Sequence, residues 1–205
     1  MINYLRKWKQ ENRKLSNISD KFSSNDLVAK QMLELLNNKT TKIKVDNDIK
    51  NNYYVFLTDT IYLSNKEVNK NGYQRICVMA HECIHSIQSK TIQTINFILS
   101  NIELIAFVIT FICMVIKFNV NIVFYSYMIL NIISVIPRII LELNATLKSI
   151  NLTKKYIEDK VEDNETNTLL NSYKKQIILF LPLFIVSLLL GRFFRFLIIY
   201  ITMII

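Results

Sequence analysis

The sequence predicts an α+β protein, predominantly α, with a small antiparallel sheet and about three transmembrane helices. Three observations lead there: glycine occurs twice in 205 residues, 51% of the chain is hydrophobic, and long Ile/Leu/Phe runs gather in its second half. Glycine-poor chains with apolar runs near bilayer length suit helices, several of them in lipid, better than a β-rich domain. The formal charge of +9 is not interleaved with aromatics on one face. Nucleic-acid binding is therefore not expected, and a membrane-proximal surface is. Three cysteines, Cys77, Cys83 and Cys113, form no disulfide framework and fit a reducing compartment.

Residues 1–94 are polar enough to face water. The first twenty-two set Leu5, Trp8, Leu15 and Phe22 among Arg6, Lys7, Lys9, Arg13 and Lys14. That pattern reads either as a basic helix on a lipid surface or as a solvated terminus. No uninterrupted apolar run follows these charges, so no secretory signal is expected. Ser24 or Asn25 can cap a helix with Leu27, Val28, Met32, Leu33, Leu35 and Leu36 on its inner side. Thr41 to Val45 and Tyr53 to Ser64, rich in β-branched and aromatic residues, read as strands with a bend near Asp59. A helix from about Gly72 to Lys90 follows.

Two apolar stretches, Ile102–Ile116 and Val120–Leu141, are joined by Lys117-Phe118-Asn119 and form a transmembrane hairpin over 95–141. A bilayer core needs ~20 helical residues, so the first span should begin near Phe97. Residues 142–175 are polar again. The last run, 176–205, holds Pro182, Gly191, Arg192 and Arg195, and reads as one tilted span whose arginines snorkel. Residues 1–90 carry fifteen Lys/Arg against nine acids, and 148–175 carry six lysines. The positive-inside tendency puts both polar regions on the cytoplasmic side of a plasma membrane.

The only two histidines, His81 and His85, stand four apart with Glu82 after the first. Two histidines placed at random fall at that spacing about once in a hundred arrangements, before any glutamate is asked for. On a helix, i and i+4 share a face, so both imidazoles can reach one zinc ion while Glu82 points toward its open side. This is the H-E-x-x-H pattern. Cys77, one turn before His81, reads as a small buried hydrophobe, and Cys83 as packing. Gln88 and Arg75 flank the motif and read as solvated helix positions.

A catalytic zinc needs a third protein ligand, and with no further histidine a carboxylate must supply it. Two spans return the chain to the side of His81 and His85, and the first acid there is Glu142. Glu103, at the mouth of the first span, is the rival, because a carboxylate there is costly unless paired or metal-bound.

The segment Ala80-His81-Glu82-Cys83-Ile84-His85-Ser86-Ile87-Gln88 resembles the A-H-E-x-x-H-x-I-Q segment of the neutral zinc metallopeptidases, the YugP-type membrane proteins. Glu142-Leu143-Asn144-Ala145-Thr146 is similar to the E-F-D-A-S segment that follows two spans in that family. The resemblance covers roughly residues 20–150. It implies a gluzincin-like domain with Zn2+ held by His81, His85 and Glu142, and with Glu82 as catalytic acid/base acting on a peptide or protein substrate. The family's usual first membrane segment has no counterpart here, and Asn144 and Thr146 replace Asp and Ser. Where that Asp steadies a ligand, an amide lacks its charge. HtpX-type proteases share the scheme and are the nearest alternative family. Those departures also fit a zinc-binding membrane scaffold without hydrolysis. A channel built from the spans has a thin basis.

Overall fold

The computed structural model describes residues 2–49, 51–64 and 73–204, and the side chains among them except those of 2–9 and 180. Its elements are α1 (Ile2–Ser19), α2 (Asn25–Leu35), β1 (Lys42–Asp46), β2 (Tyr53–Val55), β3 (Thr60–Ser64), α3 (Arg75–Ile87), α4 (Lys90–Val115), α5 (Val120–Ile157) and α6 (Asp163–Ile204). They fall into two compact units. One joins residues 1–88 to 144–177, and the other joins 89–143 to 178–205. Gly72, the expected start of the motif helix, lies outside the described residues.

The first unit has its core on α2, β3 and α3. Val28, Ala29, Met32, Ile61, Leu63, Ile76, Met79, Ala80 and Cys83 are all fully buried. Spacings of three and four along α2 and α3 make one apolar stripe on each, which is how a helix buries one side. The inner face of α2 is narrower than expected, since Leu27 and Leu35 stay exposed. Ser24 is the N-cap but makes no side-chain bond. The helix ends with Asn37 at φ 55°, where Asn38 N–H reaches Leu33 O and Asn37 N–H reaches Glu34 O, both at 2.9 Å. Asparagine tolerates that left-handed position better than most residues. The end of the N-terminal segment packs inward, because Leu15, Ile18 and Phe22 belong to the core of this unit.

The sheet corrects one expectation. It is mixed rather than antiparallel, in the order β1-β3-β2. β3 pairs in parallel with β1, Ile43 opposite Ile61, and antiparallel with β2, Tyr54 opposite Ile61. The middle position falls to the strand buried almost throughout, as β3 is, whereas β1 is half exposed. With β2 on one edge of β3, β1 takes the other edge and runs in β3's direction. The bend near Asp59 is present, with Asp59 at φ 46°.

The second unit is helical. Among the described residues, α4, α5 and α6 are long and apolar enough to cross a membrane. α4 begins at Lys90, which gives the first span its needed length. α6 runs unbroken past Pro182, as one span requires. The 117–119 turn closes α4 with Lys117 at φ 57° and Phe118 N–H bonded to Cys113 O at 2.9 Å. The Lys117 ammonium then reaches the carbonyls of Thr202 and Met203 at 3.5 and 3.4 Å, where a cation meets a helix C-terminus favourably. The arginines of α6 do not simply snorkel. Arg195 makes two bonds to the Glu103 carboxylate, at 3.1 and 2.9 Å.

Candidate metal centre

α3 buries Ile76, Met79, Ala80, Cys83 and Ile84, which turns His81, Glu82 and His85 to its half-buried side. The two imidazoles converge, with Nε2 to Nε2 at 3.0 Å. Two nitrogens on a tetrahedral zinc, each at 2.0–2.1 Å, stand about 3.3 Å apart. The Nδ1 of His85 lies 2.8 Å from Gln88 Oε1, an acceptor, so Nδ1 carries the proton and Nε2 keeps its lone pair. Gln88 in turn donates through Nε2 to Asn144 Oδ1 at 3.3 Å. Gln88 is therefore a partner of the His85 ring rather than a solvated position. Its spacing, i+3 from His85, allows that contact but also fits a solvated position.

Glu142 stands on α5 two residues before Asn144. The helix beyond it is seated in the first unit by the Gln88–Asn144 bond, by buried Ala145 and by a Cys77 Sγ–Ser149 Oγ contact at 3.8 Å. Ligand atoms of His81, His85 and Glu142 lie within 4.8 Å of one another, a group able to hold a metal ion. Two imidazoles and one carboxylate are a donor set that zinc accepts, with a fourth position left over. Arg138 holds Glu142 Oε1 at 2.7 Å. Nothing in the sequence pattern singled out Arg138.

Glu82 Oε2 accepts the backbone N–H of Tyr54 at 2.8 Å. Tyr54 sits on β2, at the edge of the sheet, and its hydroxyl donates to Asp59 Oδ1 at 2.8 Å. Burial, and next that bond to Asp59, raise the Tyr54 phenol well above its usual pKa. Tyr54 thus stays a neutral anchor, and the strand fixes the Glu82 carboxylate from its backbone.

Cys77 is not in the metal group. Burial pushes its thiol up, so it stays protonated and packs against Ser149. Cys83 is buried with its thiol raised by desolvation. Arg75 is not solvated either. It is 7% exposed and donates to Ser19 O, Phe22 O, Ser23 O, Asn25 Oδ1 and Ser19 Oγ. Glu103, the rival third ligand, is committed elsewhere. It is 1% exposed and bound by Tyr127 Oη at 2.8 Å, Asn131 Nδ2 at 3.2 Å and Arg195.

Comparison with protein-family models, with curated proteins and with solved structures finds no match.

Proposed function

We propose that this chain is a membrane-embedded zinc metallopeptidase of the gluzincin-like type, with its active site on the cytoplasmic side. The observation that carries the reading is the convergence of His81, His85 and Glu142 beside a glutamate that metal binding alone does not need. When bound, zinc supplies Lewis acidity that polarises a peptide carbonyl and makes water acidic near neutral pH. Glu82 takes the proton of the attacking water and returns it to the leaving amine nitrogen, with no covalent enzyme intermediate. The Tyr54 N–H keeps that carboxylate in place, and Gln88 with Asn144 keeps the His85 lone pair aimed. The resemblance to YugP-type proteins supports the same assignment of roles.

The test is Glu82→Gln in the full chain, purified in detergent and loaded with zinc. Bound zinc, read by elemental analysis, should stay at the wild-type level. Cleavage of casein or of a peptide library should fall by roughly 10²–10⁴-fold, the usual contribution of a general base. Unchanged cleavage in that variant rules out the mechanism.

The Arg138–Glu142 pair favours one second reading, a zinc-binding scaffold without hydrolysis, because a guanidinium competes for the third ligand. Wild-type cleavage that a chelator abolishes decides against it.

A further inference from the structure

The membrane-spanning helices hold a charge imbalance that the metal centre does not use. Between residues 91 and 141 and between 176 and 205, the sequence has five charged residues, Glu103, Lys117, Arg138, Arg192 and Arg195, of which Arg138 pairs with Glu142. Lys117 sits at the hairpin end, bonded to carbonyls there. The remaining three form one cluster with a net charge of +1, since arginine stays protonated in proteins.

The cluster is not symmetric. Arg195 takes both oxygens of Glu103, the paired geometry that neutralises a carboxylate best. Arg192 approaches the same carboxylate only to 3.6 Å. It also donates to neutral acceptors: to Ser134 Oγ, and to Asn131 O and Ser134 O at 3.3 and 3.4 Å. One carboxylate thus serves two guanidiniums, with Arg192 the more distant of them, and one positive charge of the cluster stays unbalanced. Arg192 also lines an open cleft of about 360 Å³ between α5 and α6, walled by Met128, Asn131, Ile132, Val135, Leu189 and Phe193 among others.

Depth narrows the occupant. Arg192 lies ten or eleven residues before Thr202 and Met203, the residues beside Lys117 at the hairpin end. At 1.5 Å per residue that is about 15 Å, half of a ~30 Å hydrocarbon core. Lipid headgroups sit at the interface, so a phosphate does not reach this level without deforming the bilayer. A second copy of this chain offers no acid either, because its own mid-span carboxylate, Glu103, is buried and already bound.

We infer that the cleft at Arg192 docks a transmembrane helix of another protein that carries an aspartate or glutamate near the middle of its span. The apolar walls take the ridge of that helix, and its carboxylate supplies the second negative charge that two guanidiniums sharing Glu103 lack. The inference rests on the membrane-spanning reading of α4, α5 and α6 and is independent of the peptidase reading.

The test uses the full chain in phosphatidylcholine vesicles at pH 8, with fluorescent synthetic Leu/Ala helices of about 20 residues. One helix has a central Asp and the other a central Asn, and energy transfer reads association. The Asp helix should associate about tenfold more tightly than the Asn helix. Arg192→Gln should remove that preference, and Arg192→Lys should keep it. Ile132→Asp, which puts a carboxylate into the cleft from an exposed lining position, should also remove it. Where Arg192→Gln does not fold, the Lys and Ile132→Asp variants carry the test. Equal association of both helices overturns the inference, as does a preference that survives Ile132→Asp. Displacement of the Asp helix by added phosphatidylglycerol also overturns it and assigns the cleft to an anionic lipid.

Discussion

Two glutamates, Glu103 on α4 and Glu142 on α5, look alike in the sequence and end in opposite surroundings. Glu103 is ringed by guanidinium, amide and phenol donors, and its charge is consumed where it stands. Glu142 has one arginine on one oxygen and two imidazole nitrogens nearby that donate nothing once metal is bound. Glu103 is thereby committed to its donors, whereas Glu142 belongs to a group able to hold a metal ion. The partners decide the role, and the acid itself does not.

The largest effect should come from breaking the first of these. Glu103→Ala leaves two arginines at mid-span without their carboxylate, and removing one member of a buried pair costs about 3–5 kcal/mol. Thermal unfolding in detergent should show a lower Tm for it, while Glu142→Ala should keep its Tm and lose zinc by elemental analysis. A Glu103→Ala protein as stable as wild type would erase the contrast.

A smaller effect sharpens the ligand side. Gln88→Leu removes the acceptor that holds the His85 proton at Nδ1. Such supporting partners are typically worth 10–100-fold in metal affinity, which competition with a fluorescent chelator measures. Asn144→Asp should move affinity the other way, since a charged acceptor grips the Gln88 amide more firmly. The smallest effect belongs to Arg138→Gln. Its side chain is 48% exposed, and such pairs contribute under about 1 kcal/mol to stability. Tm should hardly move, while zinc affinity should rise a few-fold as Glu142 is released.

Much of this was legible beforehand. The histidine pair, the three apolar runs and the bend at Asp59 all follow from spacing and composition. Other features depend on which groups meet across the fold, and spacing does not encode that. The two edges of β3 can be filled in either direction, so the parallel β1 was not visible. Leu27 and Leu35 fit a helical stripe yet face outward, because the neighbours of α2 cover only a narrow face. Arg75 and Gln88 looked like ordinary polar helix residues. Their acceptors lie at Ser19–Asn25 and at Asn144, tens of residues away.

Arg75 has a consequence for how the first unit comes apart. Its guanidinium gathers acceptors spread across residues 19–25 at the start of the very helix that carries the two histidines. A fork with so many partners cannot be released one at a time without stranding polar groups from water. Fraying of the turn after α1 and loosening of α3 are thus a single cooperative event. Hydrogen exchange in these two stretches, far apart along the chain, should proceed at one common rate.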